Sequence, residues 1–418
     1  MHKVLGRLPK LSFIQQVLVG IIIGALFGVF LPHWTFLSIL GDLFMGALKA
    51  IAPLLVFFLI TASLSKHQKG KRTHIRSVII LYVIATFVAA FVAVLAVYAF
   101  PVTVSLGKAA TGQNPPSDLV QILKTALMNA VANPIQALID GNYLSILLWS
   151  CLLGSGMRAA GEATKKVLDD ITNAISYLVE IIIKFIPVGI IGLVYSSVSS
   201  TGLKIFLDDG KLILLIVFTM LFVAYGVYPF MVWLILRQNP YPLTFYTMKE
   251  SGVPAFFTRS SAVNVPINME IARKLQLNEE SYSISIPLGA SVNSGGAAIT
   301  VTIMTMVGAN TLGMHVPFLL AFILSVVATI ASTGVSGIVG GSLLIIPLAC
   351  SFFGISNDIA MQIVAIGFTI GVIQDAVETA VNSAADLLFA STAEFYDLRK
   401  EGKVINVGER VRQAKLMD

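Results

Sequence analysis

Asp375, Glu378, Thr379, Asn382 and Asp386 are offset by 0, 3, 4, 7 and 11 positions, so at about 100° per residue they form one stripe along a helical face. Gln374 and Ser383 add to the polarity of the segment. The apolar run 359–373 just upstream argues against an ordinary solvated face. In lipid, carboxyl groups face a cavity or a partner and mark solute or ion paths. Arg259 lies within Thr258-Arg259-Ser260-Ser261, in a segment that also reads as membrane-embedded, and there it needs an acidic partner. Glu378 and Asp375 are the candidates. Ser260 and Ser261 stand where a half-helix begins, so their hydroxyls and free backbone N–H groups can receive a substrate carboxylate; alternatively they are ordinary N-caps. Asn293-Ser294-Gly295-Gly296 opens a helix between two apolar arms and offers backbone carbonyls to a hard cation, though no carboxylate of its own.

Catalysis fits this set poorly. No histidine falls in the core segments and no His-Glu-x-x-His string exists, so a zinc hydrolase is excluded and a Ser/His/Asp relay lacks its base. Cys151 and Cys350 sit in apolar stretches without zinc or disulfide spacing, and read as core residues.

The solvent that the positioning elements meet follows from composition. Hydrophobic residues make up 56% of the 418, charged ones 12%, and mean hydropathy is +0.86; a water-soluble surface cannot be built from that. Apolar stretches fall at roughly 11–31, 36–64, 74–100, 119–157, 171–199 and 211–236, the fourth reading as two helices because Asn133-Pro134 and Asp140-Gly141-Asn142 break it. The first stretch follows Lys3, Arg7 and Lys10 and lacks a small-residue cleavage site, so it is expected to be a retained span. After residue 240 the apolar arms shorten and polar, Gly-rich strings interrupt them. Arms of about fifteen residues reach only about 22 Å, less than the hydrocarbon core, which predicts re-entrant hairpins at 244–276 and 317–353.

Charge tests that layout. Of the 28 Lys and Arg, only Lys108, Lys204 and Lys211 fall in the opposite loops if each hairpin enters and leaves by its own face, the first inward and the second outward, while Lys49, Lys124, Lys184 and Arg259 lie inside membrane segments. The positive-inside rule then puts both termini in the cytoplasm. The formal charge of +6 follows the membrane, not a nucleic acid. Two oppositely facing hairpins, each followed by a helix, form an inverted repeat with its binding site at the midplane. The expected fold is an all-α polytopic membrane protein with eight transmembrane helices and two re-entrant helical hairpins. Its core runs through 241–391, with helix seven at 281–308 and helix eight at 357–390, followed by a cytoplasmic tail at 392–418.

Thr258-Arg259-Ser260-Ser261, then Ser285-Ile286-Pro287-Leu288-Gly289-Ala290 leading to Asn293, Gly334-Val335-Ser336-Gly337, and Asp375 through Asp386 resemble the signature strings of the dicarboxylate/amino-acid:cation symporter family, the glutamate-transporter family. Within it, the string 374–383 is most similar to the bacterial sodium/serine-threonine branch. The resemblance implies sodium-coupled import of small neutral amino acids, serine and threonine foremost, across a bacterial inner membrane. It implies a homotrimer embedded in lipid and working as an elevator, in which residues 1–240 supply mainly scaffold and helices three and six join the mobile unit. Asp375 would bind the substrate α-amino group, with Asn382 assisting and Thr379 lining the pocket. Ser261 and the hairpin tip around Gly334 and Val335 would hold the α-carboxylate. One sodium would use carbonyls of Gly289, Asn293 and Asn382 with the Asp386 carboxylate, and a second those of Ser291, Thr329, Ile330 and Ser332.

Two departures matter. Dicarboxylate carriers of this kind have an arginine where Glu378 stands, so an acid here would repel aspartate and could accept a hydrogen bond from a small hydroxyl. The family's Asn-Met-Asp-Gly-Thr string stands here as Asn293-Ser294-Gly295-Gly296-Ala297, which removes a carboxylate at Gly295 and predicts that a third sodium site, to which Tyr82 and Thr86 would contribute, is empty. A proton-coupled amino-acid or dicarboxylate carrier is the alternative within transport, and a passive channel with two gates would be an odd construction.

Overall fold

Phe13–Phe30 (α1), Ser38–Ser65 (α2) and Ile75–Ala99 (α3) open the chain as three apolar helices. The computed structural model describes residues 13–65, 75–106, 128, 131–140, 142–201, 205–333 and 340–417, and every regular element among them is helical. The expected breaks inside 119–157 are present where described: Pro134–Asp140 (α4) ends at the first residue of the Asp140-Gly141-Asn142 signal, and Tyr143–Gly156 (α5) begins with Asn142 as N-cap, its side chain accepting from Ser145 N–H. The stretch read as one helix at 171–199 is two. Glu162–Lys184 (α6) stops just ahead of Ile186–Thr201 (α7), because Pro187 offers no N–H to continue the ladder.

Ile205–Phe222 (α8) passes through a π-helical turn at Val223–Val227 into Tyr228–Leu236 (α9). Tyr241–Thr247 (α10), a second π-helical turn at Met248–Gly252 and Val253–Thr258 (α11) form the first arm of a helical hairpin. Arg259 takes a left-handed conformation (φ 53°) at its tip, and Ser261–Lys274 (α12) returns. Helix seven is interrupted: Glu279–Val292 (α13) and Gly295–Thr311 (α14) are separated by Asn293 and Ser294. Phe318–Ser332 (α15) leads to the second tip, and Gly341–Leu344 (α16) with Ile346–Phe352 (α17) leads away. Asn357–Lys400 (α18) runs ten residues beyond the expected end of helix eight, and Val407–Lys415 (α19) closes the chain.

Burial separates lipid-facing elements from central ones. In the run Arg76–Ala99, 44% of the apolar window is buried, against 94% in Glu279–Thr311. Ile80, Val83, Ile84 and Leu95 of α3 and Leu214, Phe218 and Phe222 of α8 are exposed, the inverse of a water-soluble surface and the pattern of helices solvated by hydrocarbon. Among the described residues four helical runs are long and apolar enough to cross a membrane: Arg76–Ala99, Asp209–Leu236, Glu279–Thr311 and Asn357–Lys400.

Two packing groups emerge. α1 lies along α7, and α2 packs against α5, α6 and α7; α14 packs on α3 and α18, with α15 beside α3. Close approach in the first group depends on small residues: a Cβ at Gly192 of α7 would stand 2.2 Å from Gly41 N of α2, so the backbones meet without side chains between them. The segment expected to be a cytoplasmic tail packs against the rest of the molecule over its described residues 392–417. Glu394 and Phe395 are buried, Val407, Val411 and Ala414 face inward, Gln238 donates to Ile405 O at 2.7 Å and accepts from Val407 N–H at 2.9 Å, and Arg410 donates to Gln276.

Candidate functional site

The stripe read from spacing is a physical stripe. Asp375, Glu378, Thr379, Asn382 and Asp386 are all buried on α18, and four other elements converge on them. Arg259, at the tip of the first hairpin, donates from Nε to Asp375 Oδ2 at 2.7 Å. Of the two acids open to it from sequence, Asp375 is the one it pairs with. Gly340 N–H, on the return limb of the second hairpin, donates to Asp375 Oδ1 at 3.0 Å, so both hairpins meet at one carboxyl group. A cavity adjoins this pair, lined by Arg259, Asp375, Gly340 and Gly371 with apolar Val17, Ile186, Leu343, Phe368 and Val372.

Glu378 has a different set of neighbours. Its Oε2 accepts from Thr300 Oγ1 at 2.8 Å, Ser342 Oγ at 2.8 Å and Gln374 Nε2 at 2.5 Å. Thr379 Oγ1 donates back to the Asp375 carbonyl at 2.8 Å, a local bond that fixes its rotamer. Ser260 is an N-cap, accepting from Val263 N–H at 3.4 Å, one of the two roles that its position allows. Ser261 beside it is buried at the start of α12.

The cation grouping divides. Asn293 Nδ2 donates to Asp386 Oδ1 at 2.9 Å, and a Cβ on Gly289 would lie 3.0 Å from the same oxygen. Gly289, Asn293 and Asp386 are therefore in contact at the helix break. Asn382, one turn above, accepts from Gly296 N–H on its Oδ1 at 2.7 Å. Asn293 Oδ1 is buried without a hydrogen-bond partner among the described residues, an oxygen available to a hard cation, and the whole set is oxygen. Among the described residues no group of three or more His, Cys, Asp or Glu could hold a metal ion; sodium as cargo does not need one, since amide and carbonyl oxygens serve it. The second grouping is less assembled. Thr329, Ile330 and Ser332 sit together at the end of α15, where the Thr329 carbonyl accepts from Thr333 Oγ1 at 3.1 Å and the Ile330 carbonyl from Thr333 N–H at 3.2 Å, while Ser291 is exposed on α13. Gly334 and Val335 lie outside the described residues, as do Lys108, Lys124 and Lys204.

Sequence reasoning named Tyr82 and Thr86 but missed Tyr228, Ser251, Asn264 and Asn268. Tyr228 of α9 fills the gap beside Gly295: a Cβ there would stand 2.0 Å from Tyr228 Oη. Tyr82 Oη lies 2.9 Å from the Asp386 carbonyl oxygen, and Thr86 Oγ1 accepts from Ser294 N–H at 3.3 Å. Asn264 and Asn268 of α12 both donate to Ser383 Oγ, at 2.6 and 3.2 Å, and Asn264 also donates to the Ser251 carbonyl at 3.1 Å. The signal for this last cluster was present as two amides four residues apart in an embedded arm, the spacing of one helical face.

The sequence model of the sodium:dicarboxylate symporter family matches residues 13–394. The chain belongs to that family. The symporter is 55% identical to a serine/threonine transporter of Lacticaseibacillus paracasei over 98% of this chain and 94% of the relative. A serine/threonine transporter of Enterococcus faecalis is 53% identical over 98% of this chain and 97% of its own length, and one of Bifidobacterium adolescentis 49% identical over 94% and 91%. The symporter is thus a multi-pass membrane transporter, helical throughout its described regular elements, and not an enzyme.

Proposed function

We propose that this symporter imports serine and threonine together with sodium across a bacterial inner membrane. The observation that carries the reading is the oxygen cluster of Gly289, Asn293 and Asp386 at the interrupted helix, next along α18 from an acid that the first hairpin tip and the return limb of the second both contact. Relatives named as serine/threonine transporters support the substrate class.

Charge supports it as well. Asp375, Glu378 and Asp386 bring three buried carboxyl groups against one guanidinium, Arg259. Such a site favours sodium and an α-ammonium over a dianionic substrate, because a second carboxylate would enter without a partner. In this reading Asp375 receives the α-ammonium, Asn382 assists, Thr379 lines the pocket, and the start of α12 at Ser260 and Ser261 with the tip around Gly334 and Val335 receives the α-carboxylate. Glu378 supplies the negative charge that disfavours acidic side chains. Sodium is held by Gly289, Asn293, Asn382 and Asp386, and a second ion by Ser291, Thr329, Ile330 and Ser332. Gly295, without a carboxylate and with Tyr228 against it, leaves one or two coupled ions.

The two packing groups support an elevator: α1, α2 and α5–α7 as a scaffold in a trimer, α3 and α8–α18 as the moving unit with two re-entrant hairpins, both termini cytoplasmic. Transport in proteoliposomes tests the whole. Serine uptake is expected to require an inward sodium gradient and not a proton gradient, and Asp375→Asn to abolish uptake of every amino acid, since the α-ammonium is common to all. Uptake driven by a pH gradient in choline, or normal serine uptake by Asp375→Asn, would refute it.

A further inference from the structure

Glu378 joins three elements through one oxygen. Its Oε2 accepts from Thr300 of α14, Ser342 of α16 and Gln374 of its own helix. Its stem lies against the cation side of the site: a Cβ built at Gly296 would stand 3.0 Å from Glu378 Cγ, 2.9 Å from its carbonyl oxygen and 3.1 Å from Asn382 Oδ1. Gly296 N–H donates to that same Asn382 oxygen at 2.7 Å. The first residues of α14 therefore touch Glu378 by van der Waals contact and Asn382 by a hydrogen bond. Close-packed interiors compress little, so a shift of one such group displaces the next. On the other flank Ser342 follows two residues after Gly340, whose N–H donates to Asp375 Oδ1 at 3.0 Å.

We propose that Glu378 is the positioning residue that couples the oxygen cluster at Asn293 and Asp386 to the pocket at Asp375, acting through Thr300 and Ser342 without touching the substrate. The proposal rests on the reading of the site as a sodium and amino-acid pocket. An ion held by Asn293 and Asp386 fixes the Asn293–Gly296 turn. That turn bears on the Glu378 stem and, through Thr300, on its carboxyl group. Glu378 in turn holds Ser342, which sets the backbone at Gly340 that faces Asp375. Each end of this chain of contacts is a different binding site, so a ligand at either one biases the other, and linkage makes the effect reciprocal.

The test measures amino-acid affinity of the purified protein at low and high sodium by calorimetry, with the ratio of the two affinities as the coupling factor. Wild type is first screened against the common amino acids and its best ligand serves as the probe. Glu378→Gln keeps the shape but sets an amide against the Gln374 amide, and Ser342→Ala removes a single donor. Each is expected to lower the coupling factor about threefold or more, with sodium affinity in the absence of amino acid held within about twofold. The double variant is expected to lose no more than the larger single one, because both act on one link. Should Glu378→Gln fail to fold, Ser342→Ala and Thr300→Val decide. An unchanged coupling factor in the variants overturns the proposal, and so does a parallel fall of sodium and amino-acid affinities, which marks a general structural loss. A wild-type coupling factor of one would instead sink the symport reading, and a best ligand other than serine would correct the substrate while the comparison runs with that ligand.

Discussion

Tyr228 and Gly295 show how one pair of residues sets what a buried site can hold. The Tyr228 hydroxyl occupies the space into which any side chain at 295 would project, and a Cβ there would meet it at 2.0 Å. Real contacts of that length do not exist, so the tyrosine ring, which packs edge-on against Phe389 at 5.0 Å between centroids, must move if the glycine is replaced. Overpacking of this kind costs about 1–3 kcal/mol. Gly295→Ala is therefore expected to lower thermal stability in detergent by that amount. Tyr228 Oη is buried and accepts or donates no hydrogen bond among the described residues, so Tyr228→Phe alone is expected to change stability by less than about 1 kcal/mol. The pair Tyr228→Phe with Gly295→Ala should recover most of the loss. Melting curves that show equal loss in the single and double variants would mean that the strain at 295 lies elsewhere.

Among the elements, the first hairpin is fastened to α18 by amides, not by apolar contact alone. A π-helical turn at Met248–Gly252 brings the Ser251 carbonyl within 3.1 Å of Asn264 Nδ2, while Asn264 and Asn268 together engage Ser383. The inserted residue of such a turn redirects a carbonyl that an α-helix would keep for itself. Ser383→Ala removes one acceptor from each of two buried amides, which keep the Ser251 and Ser383 carbonyls, and each lost hydrogen bond costs about 0.5–1.5 kcal/mol. Amide hydrogen exchange of α12 is expected to accelerate in Ser383→Ala while that of α14 stays as in wild type. Unaltered protection of α12 would show that the hairpin is held by its apolar neighbours. The clasp joins residues 119 positions apart, and its members lay in the sequence as scattered polar residues with nothing to say which would meet.

For the whole molecule, membrane placement and orientation are separate questions. Placement follows from apolar side chains exposed along α3 and α8; orientation rests on the positive charge of one set of loops. Val404 and His315 are both exposed, and the proposed topology puts them on opposite faces. With Cys151 and Cys350 replaced, a membrane-impermeant thiol reagent added to intact cells is expected to label His315→Cys and to leave Val404→Cys unlabelled until the membrane is opened. The reverse pattern would invert the topology.

The sequence by itself determined the membrane solvent, the polar stripe of α18, the interruption at Asn293 and Ser294 and the breaks around α4 and α5. Each depends on local quantities: apolar content, the helical period, and the missing N–H or side chain of Pro and Gly. The family followed from strings of the same local kind. Only the tertiary structure decided which acid Arg259 pairs with, because Asp375 and Glu378 lie three residues apart on one face and spacing cannot rank them. The choice was made by the approach of two hairpins, one bringing Arg259 and the other Gly340 to Asp375, while Thr300 and Ser342 converge on Glu378. Likewise the sequence places a tail after residue 391 without a partner for it, yet Val407, Val411 and Ala414 are buried. An apolar face of three residues on a nine-residue helix carries too little local signal to announce a partner, and the surface it covers exists only once α10 and α12 are folded together.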